Sequence, residues 1–373
     1  MPHKEIASQS GAALVTTLLI VALITVTLTA MSSKQQRAIQ IASNRQTQLQ
    51  LKNLLGAGET FAMAVLRRDH VEGERNRSDS TEDFWAQSLP PVPVDGATVE
   101  GCVIDLQGKF NVNNLVNAEG NVDQIEYQIL QRLLTALTID STKAEAIKDW
   151  IDSDINVDEG NGAEDDFYTG QTPSYRAANG PMVSPSELLL VKGFRVTDEG
   201  GLDDYDLLLP HIATVPTGSA INVNTASSPV LAALAPHMAS IADEIKVVDD
   251  GYWEEYPACP EGGGLLDSLI NAEEDDPAAD PVDPNADPNA NPDEESEGGL
   301  IYEDIAGFQQ NTNLSEDENL DSLVDNGSIG IQSQYYMSRV TVTRDDISIT
   351  QFSIFERDSQ GAISTLRRSR GAL

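Results

Sequence analysis

The N-terminal part of the chain holds an apolar run, because residues 12–31 contain no charged side chain. A helix of this length spans about 30 Å, which is the thickness of the hydrocarbon part of a bilayer. Five threonines interrupt the run, and we expect their hydroxyls to bond to carbonyls one turn earlier. The pattern predicts a membrane-spanning helix. An ordinary secretory signal is the weaker interpretation, because it has a shorter apolar core and a more basic leader.

Helical spacing continues beyond this run. Between residues 34 and 68, apolar side chains recur on one helical face, with interruptions at Gly56 and Gly58. Residues 122–138 repeat the same pattern and predict a further helix. Two shorter helices are predicted to begin at serine caps, from Ser141 to about Ile151 and from Ser184 or Ser186 to about Gly193. Short helices with short connections indicate a small helical domain.

Alternating apolar and polar residues predict three strands. They are residues 98–106 and the segments YYMSRVTVTR and DISITQFSIFER, which close the chain and join near Asp345 and Asp346. These strands would form a sheet that packs against the N-terminal helix. The prolines of residues 89–93 predict a loop. The basic tail is expected to be frayed, including Arg367, Arg368 and Arg370.

The charge balance narrows the choice of partners. Sixty acidic side chains oppose 23 basic ones, which gives a formal net charge of −37. Such a surface repels nucleic-acid phosphates and excludes nucleic acid as a partner, whereas it suits an exported protein and divalent cations. Residues 271–298 contain 11 acids, five prolines and no base. We expect this segment to be a disordered insertion, because it cannot bury enough apolar surface to fold.

Two cysteines, Cys102 and Cys259, could form a disulfide in an oxidising compartment. The sequence alone also allows two separate buried thiols. Catalytic motifs are missing from the sequence: there is no nucleophile elbow, P-loop or dinucleotide-binding fingerprint. Four scattered histidines lack the spacing of zinc ligands. We therefore predict that the protein is not an enzyme.

The segment DWIDSDINVDEGNGAEDDFY carries the most chemistry. It holds eight acids and no base between Asp149 and Asp166, and such a cluster repels itself unless a cation neutralises it. Calcium takes six to eight oxygen ligands at flexible geometry. The segment is not an EF-hand, because the required glycine and glutamate positions hold Val157 and Ala163. From composition alone, a calcium loop and a solvated acidic loop are equally good interpretations.

Residues before the apolar run resemble the processing site of type IV prepilins and pseudopilins. Ser10 and Gly11 precede Ala12, and the resemblance implies cleavage between Gly11 and Ala12 by a prepilin peptidase, with methylation of the new N-terminus. In that family the fifth mature residue is usually glutamate, whereas here it is Thr16. Among pseudopilins this absence is associated with the K subunit of type II secretion.

Further motifs strengthen the resemblance to the general secretion pathway protein K family, the minor pseudopilins of type II secretion. In chain order they are FNVNNL, WIDSD, GAED, YRAANGPM, SELLLVKGF and INVNTAS. The resemblance implies an α+β, pilin-like fold, in which a long N-terminal helix packs on a small antiparallel sheet. A large helical, SAM-like domain is inserted into that sheet and binds structural calcium. The implied ligands are Asp152, Asp154, Glu164 and Asp165, followed by Asp149 and Asp158.

The implied domain organisation has six parts. They are a leader (1–11), a membrane and filament-core helix (12–31), the first part of the pilin-like domain (32–120), the inserted helical domain (121–215), a second helical module containing the acidic insertion (216–330), and the C-terminal strands of the pilin-like domain (331–373).

The implied function is to cap the tip of a periplasmic pseudopilus and to start its assembly, for export of folded proteins across the outer membrane. The implied partners are the minor pseudopilins I and J, with H and the major pseudopilin as further candidates. The expected location is the bacterial inner membrane, with a single pass and a periplasmic globular part. A minor pilin of a type IV pilus, with an adhesion or assembly role, is the alternative. A binding module on an uncut anchor is a third.

Overall fold

The computed structural model describes residues 10–72, 78–117, 119–157, 160–248, 259, 301–312 and 323–370. The chain divides into two compact units, Met1–Leu54 and Leu55–Leu373. The predicted insertion 271–298 lies outside the described residues.

The described α-helices are, in chain order, α1 (Ser10–Glu72), α2 (Gln124–Ala136), α3 (Lys143–Ile151), α4 (Asp165–Tyr168), α5 (Gly201–Leu208), α6 (Ser228–Leu234), α7 (Ala242–Ile245) and α8 (Ile305–Asn311). The strands are β1 (Leu89–Val94), β2 (Ala97–Asp105), β3 (Phe110–Asn111), β4 (Ile212–Ala213), β5 (Ile221–Asn222), β6 (Ile329–Gly330), β7 (Tyr335–Arg344), β8 (Ile347–Arg357) and β9 (Ile363–Arg370). Short 3₁₀-helices cover Phe84–Ala86, Val112–Leu115, Pro185–Leu190, Leu209–His211 and Met238–Ser240.

The first unit contains the N-terminal part of α1, which is continuous as predicted. By length and composition, α1 is the one helix among the described residues that could cross a membrane. Threonine hydroxyls within it donate to carbonyls of the preceding turn, for example Thr25 to Val21 at 2.7 Å and Thr29 to Thr25 at 2.8 Å. These bonds satisfy the hydroxyls inside the helix, so the threonines are compatible with an apolar surrounding.

The second unit is built around a five-stranded antiparallel sheet in the order β1–β2–β7–β8–β9. Because side chains alternate along a strand, the two faces of the sheet bury different sets of side chains. On one face Val103, Tyr336 and Phe355 pack with Leu66 of α1. On the other face a second cluster includes Cys102, Ile104, Val215, Met337, Phe352 and Ile354. The predicted packing of the sheet against the long helix is thus observed.

The predictions at the two edges of this sheet were wrong. Residues 89–93, predicted as a loop, belong to β1, which pairs with β2 through an irregularity between Leu89 and Val92. Proline is tolerated there because an edge strand needs ladder donors on one side only. The basic tail, expected to be frayed, forms the C-terminal half of β9, which pairs with β8.

The described residues between β2 and β7 form the inserted helical body. Its core includes Leu130 and Leu133 of α2 together with Val230 and Leu231 of α6. Arg132 of α2 also donates to the last carbonyls of α6, at 2.5 Å to Ala233 and 2.9 Å to Leu234. The described parts of the two predicted modules, 121–215 and 216–330, therefore share a single core.

Capping side chains fix where the helices begin. Asp123 accepts from two backbone N–H groups at the start of α2. The start of α3 differs from the prediction, because its N-cap residue is Thr142 rather than Ser141, and the Thr142 side chain makes no cap bond. Ser184 caps the helix Pro185–Leu190 as predicted and forms a capping box with Glu187, although this helix is of the 3₁₀ type.

Buried asparagines connect segments that are far apart in sequence. Asn113 donates to the carbonyls of Met182 and Val215, both at 3.0 Å. Asn222 donates to the carbonyl of Asp79 at 3.0 Å, and also to a carboxylate oxygen of Asp105 and the hydroxyl of Ser333. These two residues belong to the motifs FNVNNL and INVNTAS. Each motif is therefore a set of buried amides that fixes loops to one another.

Candidate metal centre

The acidic segment folds back on itself between α3 and α4. Asp152 is the C-cap of α3 and its N–H donates to the carbonyl of Lys148 at 2.9 Å. Glu164 is the N-cap residue of α4, and its side chain makes no cap bond there. The end of one helix and the start of the next thus place two buried carboxylates side by side.

Three carboxylates converge at this point. Ligand oxygens of Asp152, Asp154 and Glu164 all lie within 4.8 Å of one another. Calcium–oxygen distances are about 2.3–2.6 Å, so two ligands of one ion lie at most about 5 Å apart. The spacing of the three groups therefore matches a shared calcium ion.

Buried carboxylate oxygens without a hydrogen-bond donor are a second indication that a cation binds at this point. Both carboxylate oxygens of Glu164 and Oδ1 of Asp152 are buried and have no hydrogen-bond partner among the described residues. A buried acceptor without a donor is costly. A cation with additional water ligands would satisfy these oxygens.

Electrostatics inside the cluster agree with this geometry. Burial raises the pKa of Glu164 to about 7, and the charges of Asp149, Asp152, Asp154 and Asp165 add to the rise. Burial, with a contribution from Asp154, also raises the pKa of Asp152. Several carboxylates disfavour one another's charged forms here, which a divalent cation would reverse.

The remaining candidate ligands occupy different positions. Asp149 lies buried next to the cluster, and the Ala163 N–H donates to it. Asp165 is directed elsewhere, because it accepts from the Ala177 N–H at 3.1 Å and pairs with Arg176 at 3.2 Å. Asp158 lies outside the described residues.

Neighbouring side chains hold the loop in shape. The Asn156 side chain donates to Asp154 at 2.9 Å. Glu145 of α3 accepts from the Asn161 N–H. A Cβ at Gly160 would lie 2.6 Å from that Glu145 carboxylate, and the φ of Gly160 is +116°. The loop therefore requires glycine at this turn.

An aromatic layer lies behind the cluster. Tyr168 of α4 is fully buried and packs edge-on against Trp150 at 5.1 Å between ring centroids. Its hydroxyl accepts from the Lys192 N–H at 3.3 Å. The Lys192 ammonium donates to the carbonyl of Gly162 at 3.1 Å. This layer excludes water from one side of the carboxylates and ties the loop to the helical body.

The structure also shows how the two cysteines pair. Cys102 of β2 and Cys259 are bonded to each other, with their Cα atoms 5.5 Å apart. The bond joins the sheet to a residue 157 positions further along the chain.

The processing-site residues Gly11 and Ala12 lie in the first turn of α1. Residues 1–9 lie outside the described residues, so the predicted leader is not otherwise characterised.

The fold and the site define a class, that of a pilin-like subunit carrying an inserted helical body. The crystal structure of the GspK–GspI–GspJ complex from the type 2 secretion system of enterotoxigenic Escherichia coli contains a chain of the same fold. The TM-score is 0.62 at 20% identity, covering 89% of this chain and 99% of that chain. The predicted fold class, a mixed α+β arrangement of a long helix, an antiparallel sheet and further helices, is confirmed.

Sequence comparisons identify one family within this class of pilin-like subunits. The family model for type II secretion system protein K matches residues 108–217. Type II secretion system protein K of Pseudomonas aeruginosa is 35% identical over 234 residues, covering 61% of this chain and 68% of the relative. The same protein of Klebsiella pneumoniae is 33% identical over 240 residues, covering 61% and 71%. The chain belongs to the type II secretion system protein K family.

Proposed function

We propose that this chain is the minor pseudopilin at the tip of the periplasmic pseudopilus of a type II secretion system. It would start fibre assembly and support export of folded proteins across the outer membrane. The observation that carries the proposal is the insertion itself. Strands β2 and β7 are neighbours in the sheet, and residues 106–334 are inserted between them. A second subunit stacked over this one would have to clear the inserted body, which favours a terminal position.

Thr16 supports the same position in the fibre. Its hydroxyl donates to the carbonyl of Ala13 at 3.0 Å, within its own helix. If cleavage occurs after Gly11, this residue stands at the mature position that carries a glutamate in most pilin-like subunits. A tip subunit has no preceding neighbour whose terminal amine that glutamate would neutralise.

The minor pseudopilins I and J are the proposed partners. The structure with the same fold is of a K–I–J complex, and membership of the K family supports the same partners here. Pseudopilin H, the major pseudopilin and the prepilin peptidase are further proposed partners, on the strength of the family resemblance.

We place the chain in the bacterial inner membrane, with α1 as its single span and the second unit in the periplasm. The long apolar stretch of α1 supports the anchor. The disulfide between Cys102 and Cys259 supports an oxidising compartment for the second unit.

We further propose that calcium is bound by Asp152, Asp154 and Glu164, with Asp149 close by. The converging oxygens and the unbonded buried acceptors support this assignment. When bound, the ion would neutralise the cluster and hold α3 and α4 in position. The role of the ion would be structural, because it would fix the loop between α3 and α4.

The mature N-terminus tests the proposed class directly. Mass spectrometry of protein purified from membranes, with and without the prepilin peptidase, should find a chain that starts at Ala12 only when the peptidase is present. The variant Gly11→Val should remain uncut in both strains. A chain that starts near Met31, or one that keeps Met1 despite the peptidase, would contradict the proposal.

A further inference from the structure

Positive charge is concentrated in α1 just beyond its apolar run. Residues 10–54 contain no acidic side chain, whereas four bases follow the apolar run: Lys34, Arg37, Arg45 and Lys52. All but one of the sixty acids of the chain lie at Glu59 or beyond it. The first unit is therefore basic over its described residues, although the formal net charge of the whole chain is −37.

The four bases lie on one side of the helix. Their spacings of three, eight and seven residues are close to one, two and two turns, so an ideal helix places them within about 80° of arc. All four side chains are exposed, and the described residues of the first unit include no acid that could pair with them. These four residues form a basic stripe along α1.

Distance from the apolar run divides the basic stripe into two pairs. At the rise of a continuous helix, Lys34 lies about 5 Å and Arg37 about 9 Å beyond Met31, the last residue of the run. The polar layer of a bilayer extends about 5–8 Å beyond the hydrocarbon on each side, and long basic side chains extend along a helix to reach it. Arg45 and Lys52 lie about 21 and 32 Å beyond Met31, more than twice the Debye length of about 8 Å. The first pair alone is close enough to contact lipid headgroups when α1 spans a bilayer.

We propose that Lys34 and Arg37 bind the phosphate of an anionic phospholipid, in the leaflet on the C-terminal side of the membrane span. The two residues are three positions apart, so their side chains lie on the same face of α1 and can contact one headgroup. An ammonium and a guanidinium both donate charge-assisted hydrogen bonds to phosphate oxygens. The interaction would fix the depth of the span in the bilayer and oppose the repulsion between the acidic remainder of the chain and the lipid surface. This inference rests on the proposed membrane location of α1.

An acidic helix of a partner protein is the other occupant that this charge could bind. Such a helix would run along the whole basic stripe and contact both pairs of bases. A lipid headgroup reaches only the pair beside the apolar run. Lys34 follows the run after two residues, where headgroups are present whenever α1 spans a bilayer, and this position favours the lipid.

The lipid selectivity of the full chain in phosphatidylcholine bilayers tests this proposal. Trace amounts of spin-labelled phosphatidylglycerol or spin-labelled phosphatidylcholine are added, and electron paramagnetic resonance measures the fraction of each lipid that the protein immobilises. Phosphatidylglycerol should associate about fivefold or more strongly, because each base near an anionic lipid surface contributes about a fivefold preference. Sodium chloride at about 1 M should remove most of this preference, since the Debye length falls to about 3 Å.

Two double variants form a matched comparison. Lys34→Gln/Arg37→Gln should lower the preference for phosphatidylglycerol about fivefold or more. Arg45→Gln/Lys52→Gln removes the same two types of side chain from the same face of α1, further from the apolar run, and should keep the preference of the parent. Glutamine preserves helix propensity, and equal helical circular dichroism of the parent and both variants shows that α1 is intact.

Three results would overturn the proposal. They are equal immobilisation of the two lipids by the parent, equal loss of preference in the two double variants, and loss of binding to the I and J subunits in Lys34→Gln/Arg37→Gln with no change in lipid preference. The last would assign the bases to a protein partner. Extraction of the parent by alkaline carbonate would contradict the membrane location as well, whereas a retained chain without lipid preference would contradict this inference alone.

Discussion

At the scale of single residues, buried amide side chains hold the second unit together. Asn222 joins the loop after α1, the end of β2 and the loop after β6 through three hydrogen bonds of 2.9–3.1 Å. Asp105, one of its acceptors, also accepts from the hydroxyls of Thr225 and Ser333, both at 2.6 Å. Such a buried network is stable only while every member keeps its partners.

Asn222→Ala should therefore lower the free energy of unfolding by about 2–3 kcal/mol, because it removes one donor group from three buried acceptors. Urea denaturation of the full chain in micelles, followed by tryptophan fluorescence, measures this change. Asn121→Ala removes an exposed amide and should change the value by less than about 0.5 kcal/mol. Equal effects of the two variants would show that the network contributes nothing specific.

We expect Glu126 to make the stability of the chain depend on pH. Burial raises the pKa of this carboxyl from 4.5 to about 7, and Asp123 adds to the rise. A raised folded-state pKa means that the folded chain holds the proton more tightly than the unfolded chain. The free energy of unfolding should thus fall as pH rises from about 4.5 to 7, by about 3 kcal/mol from this group.

Glu126→Gln should remove this part of the pH dependence, so that the variant is more stable than the parent at pH 8 and similar to it at pH 4. Urea titrations at the two pH values measure the difference. Glu119→Gln changes an exposed carboxyl and should follow the parent. A parent and a Glu126→Gln variant with parallel pH profiles would contradict the assignment.

The sequence predicted part of the carboxylate cluster at this scale. Asp152, Asp154 and Glu164 were proposed as ligands and do converge. Asp165 was proposed with them but contacts Arg176 and Ala177. The spacing of the acids along the sequence does not show that Asp165 has these other partners. The buried amides were recognised only as parts of motifs, because an asparagine in a polar segment gives no sign of its burial.

At the scale of elements, long periodic segments were predictable and edges were not. The apolar periodicity of α1 and the alternation in β7 and β8 both exceed nine residues, so local pattern and tertiary burial agree. β1 contains three prolines and β9 three arginines. Both compositions are typical of exposed segments, and edge strands tolerate them because, within the part of the chain that the structure describes, one side of each has no neighbouring strand.

The loop between α3 and α4 should respond to calcium as a unit. At a free calcium concentration about one hundred times the dissociation constant, the ion should stabilise the parent by about 2.7 kcal/mol. A chelator should abolish the gain. Thermal denaturation of the full chain with calcium and with chelator measures it.

Glu164→Gln should remove this calcium response, because it neutralises a buried carboxylate of the cluster. Asp166→Asn is the matched control, since Asp166 is an exposed acid two residues further along. Its calcium response should equal that of the parent. If Asp166→Asn also abolishes the response, the ion is held by general negative charge and the assigned cluster is wrong.

The disulfide is a covalent constraint between the sheet and a distant part of the chain. It closes a loop with a sequence separation of 157 residues, and restricting such a loop in the unfolded chain is worth up to about 5 kcal/mol. Reducing agent should lower the urea midpoint of the parent. The double variant Cys102→Ser/Cys259→Ser should start at the lower midpoint and show no effect of the reducing agent.

At the scale of the whole molecule, the topology separates the sheet that packs on α1 from the helical body that is inserted into it. The sheet packs on the C-terminal part of α1, and the helical body with its carboxylate cluster is inserted between β2 and β7. The resemblance to the K family implied this insertion, and the strands predicted from the sequence pattern lie on either side of it. The sequence predicted two modules within the insertion, whereas the described residues of both ranges share one core, since periodicity does not show which helices pack together.

The central claim is that the chain occupies the fibre tip. Pseudopilus fibres assembled from all the pseudopilins, with an epitope tag placed after residue 370 of this chain, can be labelled with gold particles and imaged by electron microscopy. The proposal predicts label at one end of each fibre, whatever the fibre length. Label distributed along the fibres, in numbers that grow with their length, would contradict it.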